Sequence, residues 1–132
     1  MSIRRLDRQA YFNAGQRGTL TAYELPFDAK RVYWITDVGD IYQRRGGHAH
    51  RALHQSIFMV AGACRVKVPG DGAPYYLDYR GTGLYLPPMT WRELDMFTTD
   101  AVMLVAASEH FDDSDYIHDW QEFCDELRRD AR

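Results

Sequence analysis

What most constrains this chain is how often its apolar runs are cut. Short β-rich stretches are broken at close intervals by Gly, Pro, Asp and Thr. "RGTLTAYEL" and "KRVYWITDV" flank "PFDA", and "SIFMVAGACRVKV" carries Gly62 as an expected bend or bulge. "PGDG" is the clearest hairpin turn, and "PYYLDYR", "GLYLP", "TWRELDMF" and "AVMLVAAS" follow it. Such runs suit pleated strands. A series of them without alternating helices folds as an antiparallel sandwich or barrel. The tail differs. In "DSDYIHDWQEFCDELRRD", Ile117, Trp120, Cys124 and Leu127 recur at helical spacing, with Asp112, Asp113 and Asp115 at the start and Arg128 and Arg129 at the end. The expectation is an all-β barrel with one C-terminal helix packed on it. A length of 132 residues fits a single domain spanning 1–132.

Composition removes several classes of function. A formal net charge of −3 leaves no basic footprint for nucleic acid. The two cysteines, Cys64 and Cys124, form neither a CxxC pair nor a disulfide framework. The N-terminus lacks the apolar core of a secretory signal, and "IFMVAGAC" is far short of the roughly 20 residues a membrane helix needs. A cytoplasmic protein with reduced thiols and no membrane partner is expected. Fourteen of the sixteen basic residues are arginine, the better fork for carboxylate and phosphate.

The chemistry concentrates in "RRGGHAHRALHQ", Arg44 to Gln55. Strand alternation puts His48 and His50 on one face, and His54, next to Gln55, points to the strand face opposite Gln55. His-x-His, four residues, Gln55, six residues and Gly62 resemble the first motif of the cupin superfamily, a double-stranded β-helix barrel. A second segment, "GTGLYLPPMTWR", opens like the second cupin motif from Gly81 to Pro88 and then departs. Met89 replaces a glycine, and Arg92 stands where metal-binding cupins place a histidine. Gln55 likewise replaces their usual glutamate. A divalent metal wants several N, O or S donors, anionic where available. Two imidazoles, a neutral amide and a permanent cation make a poor set, so no metal is expected. Pocket histidines that are not ligands are natural proton carriers, because imidazole titrates near neutrality. Tyr33 is the next candidate, as a hydroxyl donor and acceptor.

A narrower resemblance covers roughly residues 11–126. The ordered set "RGTL", "PFDAKRVYWI", "RGGHAHRALHQ", "GLYLPPMTWREL" and "AASEHFDDSDYIHDW" closely resembles the bacterial nucleotide-sugar 3,4-ketoisomerases. These act on dTDP-4-dehydro-6-deoxyglucose on the way to dTDP-3-amino sugars. The resemblance implies a cupin barrel without a required metal or other cofactor, and a homodimer. It also implies a catalytic set of His48, His50, Tyr33 and Arg17. We expect His48 to be the carbon acid/base with His50 in support. Arg92 and Gln55, with Arg31 for pyrophosphate and Tyr85 for the thymine, form the expected substrate-binding set. The early strands "LDRQAYF" and "RGTLTAYEL" leave an edge that a partner can pair with or exchange. Three features depart from the family pattern: a short segment between Glu24 and Pro26, Gly47 before the histidine, and "VAAS". A binding cupin without turnover, a related epimerase and a metal-dependent cupin enzyme are the competing readings.

Overall fold

The computed structural model describes residues 2–13 and 17–131. Twelve strands precede one helix: β1 (Arg4–Leu6), β2 (Gln9–Asn13), β3 (Gly18–Ala22), β4 (Arg31–Ile35), β5 (Arg45–His50), β6 (Gln55–Ala61), β7 (Ala63–Lys67), β8 (Tyr75–Asp78), β9 (Gly83–Leu86), β10 (Arg92–Asp95), β11 (Val102–Ala107), β12 (Tyr116–Ile117) and α1 (Trp120–Asp130). Ten strands make two five-stranded antiparallel sheets, ordered β1-β9-β6-β11-β4 and β12-β5-β10-β7-β8. The expected cupin-like architecture and terminal helix are present, although hydrogen bonding does not close the two sheets into one ring. No helix among the described residues is long and apolar enough to cross a membrane.

The inner faces bury Ile57, Met59, Val66, Leu77, Leu94, Met103 and Val105, contributed at alternate positions by strands of both sheets. Strand β6 is buried on both faces, because the segment after β3 folds back over its outer side. There Tyr23 packs on Phe58 with ring centroids 4.3 Å apart, and Leu25 and Phe27 join the same cluster, while Val60 stays exposed. The chain changes sheets at Gly62, which joins β6 of one sheet to β7 of the other at φ +69°. Only glycine adopts this backbone cheaply. A Cβ there would also lie 2.8 Å from the Cα of Ala101. The bend read from the sequence is thus the corner of the barrel.

The tail corrects the expected helix. Ile117 lies in β12, paired with Ala49, and is buried with Ala49, Trp91 and Phe123. The helix begins three residues later because Asp119 caps it, its side chain accepting from the Glu122 amide at 2.9 Å. Asp112, Asp113 and Asp115 shape a 3-10 turn at Asp113–Asp115 instead of the helix start. The helix buries Phe123, while Trp120 and Leu127 remain largely exposed. Strands β2 and β3 form a hairpin that joins neither five-stranded sheet.

Gly62→Ala should lower unfolding free energy by about 3 kcal/mol, from left-handed strain plus the clash. Urea unfolding checks this, and an unchanged midpoint would show that the corner relaxes freely.

Candidate active site

A β-bulge sets up the histidine strand. Arg92 of β10 stands opposite His48, but Glu93 stands opposite Gly46, so Gly47 is the extra residue. Gly46 and Gly47 have φ of +84° and +71°. Gly46 also lets the Arg92 carbonyl and the Leu94 side chain approach closely, at 2.9 and 2.8 Å from where a Cβ would sit. The glycine at position 47, unusual beside the family pattern, therefore serves a backbone that a bulky residue would strain. From the bulge onward His48 and His50 share a face, and their rings meet edge-on at 4.9 Å between centroids.

A cavity of about 430 Å³ lies between the sheets. Its polar wall includes Tyr33, His48, Gln55, Arg92 and Tyr116, with Arg31 and Arg45 as further cations, and Ile57, Leu94, Met103 and Val105 supply apolar surface. No carboxylate lines it among the described residues. Arg92 is fully buried. Its Nε donates to the Thr90 carbonyl at 3.0 Å and its Nη1 to Gln55 Oε1 at 2.6 Å. Its Nη2 is buried without a partner. A buried guanidinium with an unsatisfied nitrogen and no counter-ion is costly, and an anionic ligand would offset that cost.

The same charge fixes a short relay. Arg92 holds the Gln55 oxygen, so the Gln55 amide nitrogen points the other way and donates to the Tyr33 hydroxyl oxygen at 3.1 Å. With its oxygen accepting, Tyr33 has its own hydrogen free for a ligand. Burial, followed by the neighbouring Tyr116, raises the Tyr33 pKa, which keeps it a donor at neutral pH. Burial and then Arg92 push His48 down to about 4 and His50 to about 3. Burial also lowers Arg92, to about 10, which still leaves it charged at neutral pH. At neutral pH the site therefore combines neutral imidazole bases with a fixed cation.

Six of the eight residues singled out in the sequence are brought together: Arg31, Tyr33, His48, Gln55 and Arg92 line the cavity, and His50 packs against His48 from a neighbouring one. Arg31 sits at the rim, its guanidinium 4.6 Å from the Tyr33 ring centre and 5.4 Å from that of Phe111. Two are not brought there. Tyr85 is buried on the outer face of its sheet with Leu6 and Phe58, and its hydroxyl lies 2.7 Å from His54 Nδ1. Arg17 is exposed beside the β2–β3 hairpin and is absent from the cavity wall. Sequence reasoning missed Arg45 and Tyr116. The Tyr116 ring packs against His50 at 4.3 Å and His48 at 5.0 Å. Its presence in "DYI" was the available signal.

The fold and this site define a cupin-type protein whose site sets neutral imidazoles beside a buried cation. The profile of the FdtA family, described as WxcM-like, C-terminal, matches residues 4–128. A TDP-4-oxo-6-deoxy-alpha-D-glucose-3,4-oxoisomerase from Aneurinibacillus thermoaerophilus is 41% identical over 115 residues, covering 81% of each chain. The sugar 3,4-ketoisomerase QdtA of Thermoanaerobacterium thermosaccharolyticum, solved with TDP, is 36% identical at a TM-score of 0.85, covering 98% of this chain and 96% of its own. A histidine-to-asparagine variant of QdtA, solved with TDP-4-keto-6-deoxyglucose, is 35% identical at the same TM-score of 0.85, over 97% and 95% of the two chains. This chain belongs to the FdtA family.

The lowered imidazole values carry a sign. Unfolded histidine takes a proton near 6.5, whereas the folded sites resist it down to about 4 and about 3. The unfolded chain binds more protons in that window, so the contribution of these side chains to stability is complete above about pH 6.5 and is lost as pH falls towards 4. Histidine NMR titration should place both midpoints well below 6.5 in the free protein, and Arg92→Met should move both upward. Midpoints at the ordinary value would mean that the site is wetter than its geometry implies.

Proposed function

We propose that this protein is a TDP-sugar 3,4-ketoisomerase that moves the ketone of TDP-4-keto-6-deoxyglucose from C4 to C3, supplying a 3-keto sugar for amination. The observation that carries this reading is the pairing of neutral imidazoles with an uncompensated buried guanidinium, in a chain of this family. The C3–H of a 4-keto sugar is acidified by the adjacent carbonyl. An imidazole removes that proton, the C–H electrons form C3=C4, and O4 takes a proton to give an enediol or its anion. The O3–H proton then leaves, C3=O forms, and C4 is reprotonated. Atoms and electrons balance within the substrate, so the reaction consumes no redox cofactor.

His48 and His50 are assigned as the acid/base pair. The buried, unpartnered Nε2 of His50 favours it for the carbon proton over His48, the opposite weighting from the sequence expectation. Tyr33 donates to an enediolate oxygen, and Arg92 stabilises the developing negative charge, the kind of preorganised charge that contributes most to catalysis. Gln55 orients both groups. Arg31 at the rim is suited to pyrophosphate. Incubation with TDP-4-keto-6-deoxyglucose in deuterated water, followed by NMR, should show a 3-keto product and deuterium at sugar carbons. His50→Asn should lower turnover about 10²-fold or more with binding retained, and His48→Asn should cost less. Binding without carbon exchange in the unaltered protein would instead identify a sugar-binding cupin.

We also propose a cytoplasmic homodimer with exchanged N-terminal strands. The β2–β3 hairpin exposes Tyr11 and Leu20, and the outer sheet face exposes Val32, Trp34 and Val60. A groove of about 500 Å³ on that face is lined by Tyr23, Leu25, Phe58 and Leu104. A second copy covers this apolar surface and carries Arg17 towards the other subunit's cavity. Sedimentation should give a dimer at micromolar concentration. Arg17→Ala and His50→Asn chains, each weakly active alone, should recover part of the activity when mixed under exchange conditions. A monomer, or no recovery, would place Arg17 outside the site.

A further inference from the structure

Beside His50 the chain folds a tight turn whose aspartate serves no role in the mechanism above. Asp115 ends the 3-10 turn that precedes β12. Its Oδ1 accepts from the Ala52 amide at 2.8 Å and its Oδ2 from the Leu53 amide at 3.2 Å. The same Oδ2 lies 3.4 Å from His50 Nδ1. That separation is long for a charged pair and fits a ring that is neutral at rest. The other ring nitrogen, Nε2, is buried with no partner.

The turn is held from several directions. The Arg51 amide donates to the Asp115 carbonyl at 2.9 Å. The Arg51 guanidinium donates to the carbonyls on either side, Ser114 at 2.8 Å and Tyr116 at 3.1 Å. It also pairs with Glu122 at 2.9 Å and Glu126 at 2.7 Å, both on α1. The carboxylate is therefore fixed by backbone amides, and its segment is tied to the terminal helix.

We propose that Asp115 is a positioning residue for His50: it holds the proton on Nδ1 and so keeps Nε2, buried and without a partner, as the free base. A neutral imidazole carries one proton, and a fixed acceptor beside Nδ1 decides which nitrogen has it. Once Nε2 takes the carbon proton, the imidazolium lies beside a carboxylate that stabilises it and fixes the ring. The second cavity, about 380 Å³, is lined by His50, Asp115, Asp112 and Glu109 together with Arg31 and His110. This inference rests on the assignment of His50 as a proton carrier.

Two measurements test it. Nitrogen-15 NMR of the unaltered protein at neutral pH should show His50 as the Nδ1–H tautomer, a readout independent of turnover. Asp115→Asn offers an N–H to Nδ1, so it should favour the Nε2–H tautomer and lower kcat about 10–100-fold while KM stays within about twofold. A His50 that is Nε2–H in the unaltered protein overturns the proposal, as does a folded Asp115→Asn variant with undiminished kcat or with a loss confined to KM. If that variant does not fold, the tautomer of the unaltered protein decides. Should the unaltered protein fail to turn over TDP-4-keto-6-deoxyglucose, the ketoisomerase reading falls, while the tautomer still reports on Asp115.

Discussion

The site depends on one uncompensated charge. Arg92 is buried with two of its donors satisfied by neutral acceptors and a third left open. Breaking a buried pair typically costs several kcal/mol, and here the fold carries a buried charge with no counter-ion among the described residues. The rest of the cavity follows from that. The guanidinium orients Gln55, Gln55 orients Tyr33, and the same field helps keep both imidazoles deprotonated. A carboxylate at position 55 would neutralise the cation and reverse the polarity of the hydrogen bond to Tyr33. The glutamine thus does more than replace a metal ligand.

The scaffold supplies this arrangement through strand geometry. Residues facing the cavity come from β4, β5, β6, β10, β11 and β12, so they are fixed by sheet register and not by loops. The bulge at Gly47 is the local exception, and it adjusts the strand just before His48. Strand β12 borders the outer side of β5, with Tyr116 opposite His50. The helix then clamps that border through Phe123, which packs against Ala49 and Ile117. Packing on the outside of β5 therefore holds the chemistry on its inside.

Much of this was legible in the sequence, and the exceptions have physical reasons. The turn residues marked the strands, Gly62 marked a corner, and the His-x-His spacing placed two imidazoles on one face. Tyr85 misled because β9 is buried on both sides, so apolar alternation gives no clue to which face looks inward. Ile117 fitted a helical stripe, yet pairing with β5 and the cap at Asp119 settled it as a strand. Asp115 could not be connected to His50 by inspection. The two lie 65 positions apart, and only the pairing of β12 with β5 makes them neighbours. Arg17 was legible as a motif residue, but its place in a single chain is at the far end of a hairpin that joins neither main sheet.

The cavity, lined by arginines and by no carboxylate among the described residues, sets the field that an anionic ligand meets. Low-dielectric walls around fixed positive charges focus the field outward, so a nucleotide diphosphate is drawn in faster than diffusion alone would bring it, most of all in dilute buffer. The same field does not distinguish substrate from product, because both carry the identical diphosphate. Added salt screens this field and weakens the electrostatic hold on either molecule.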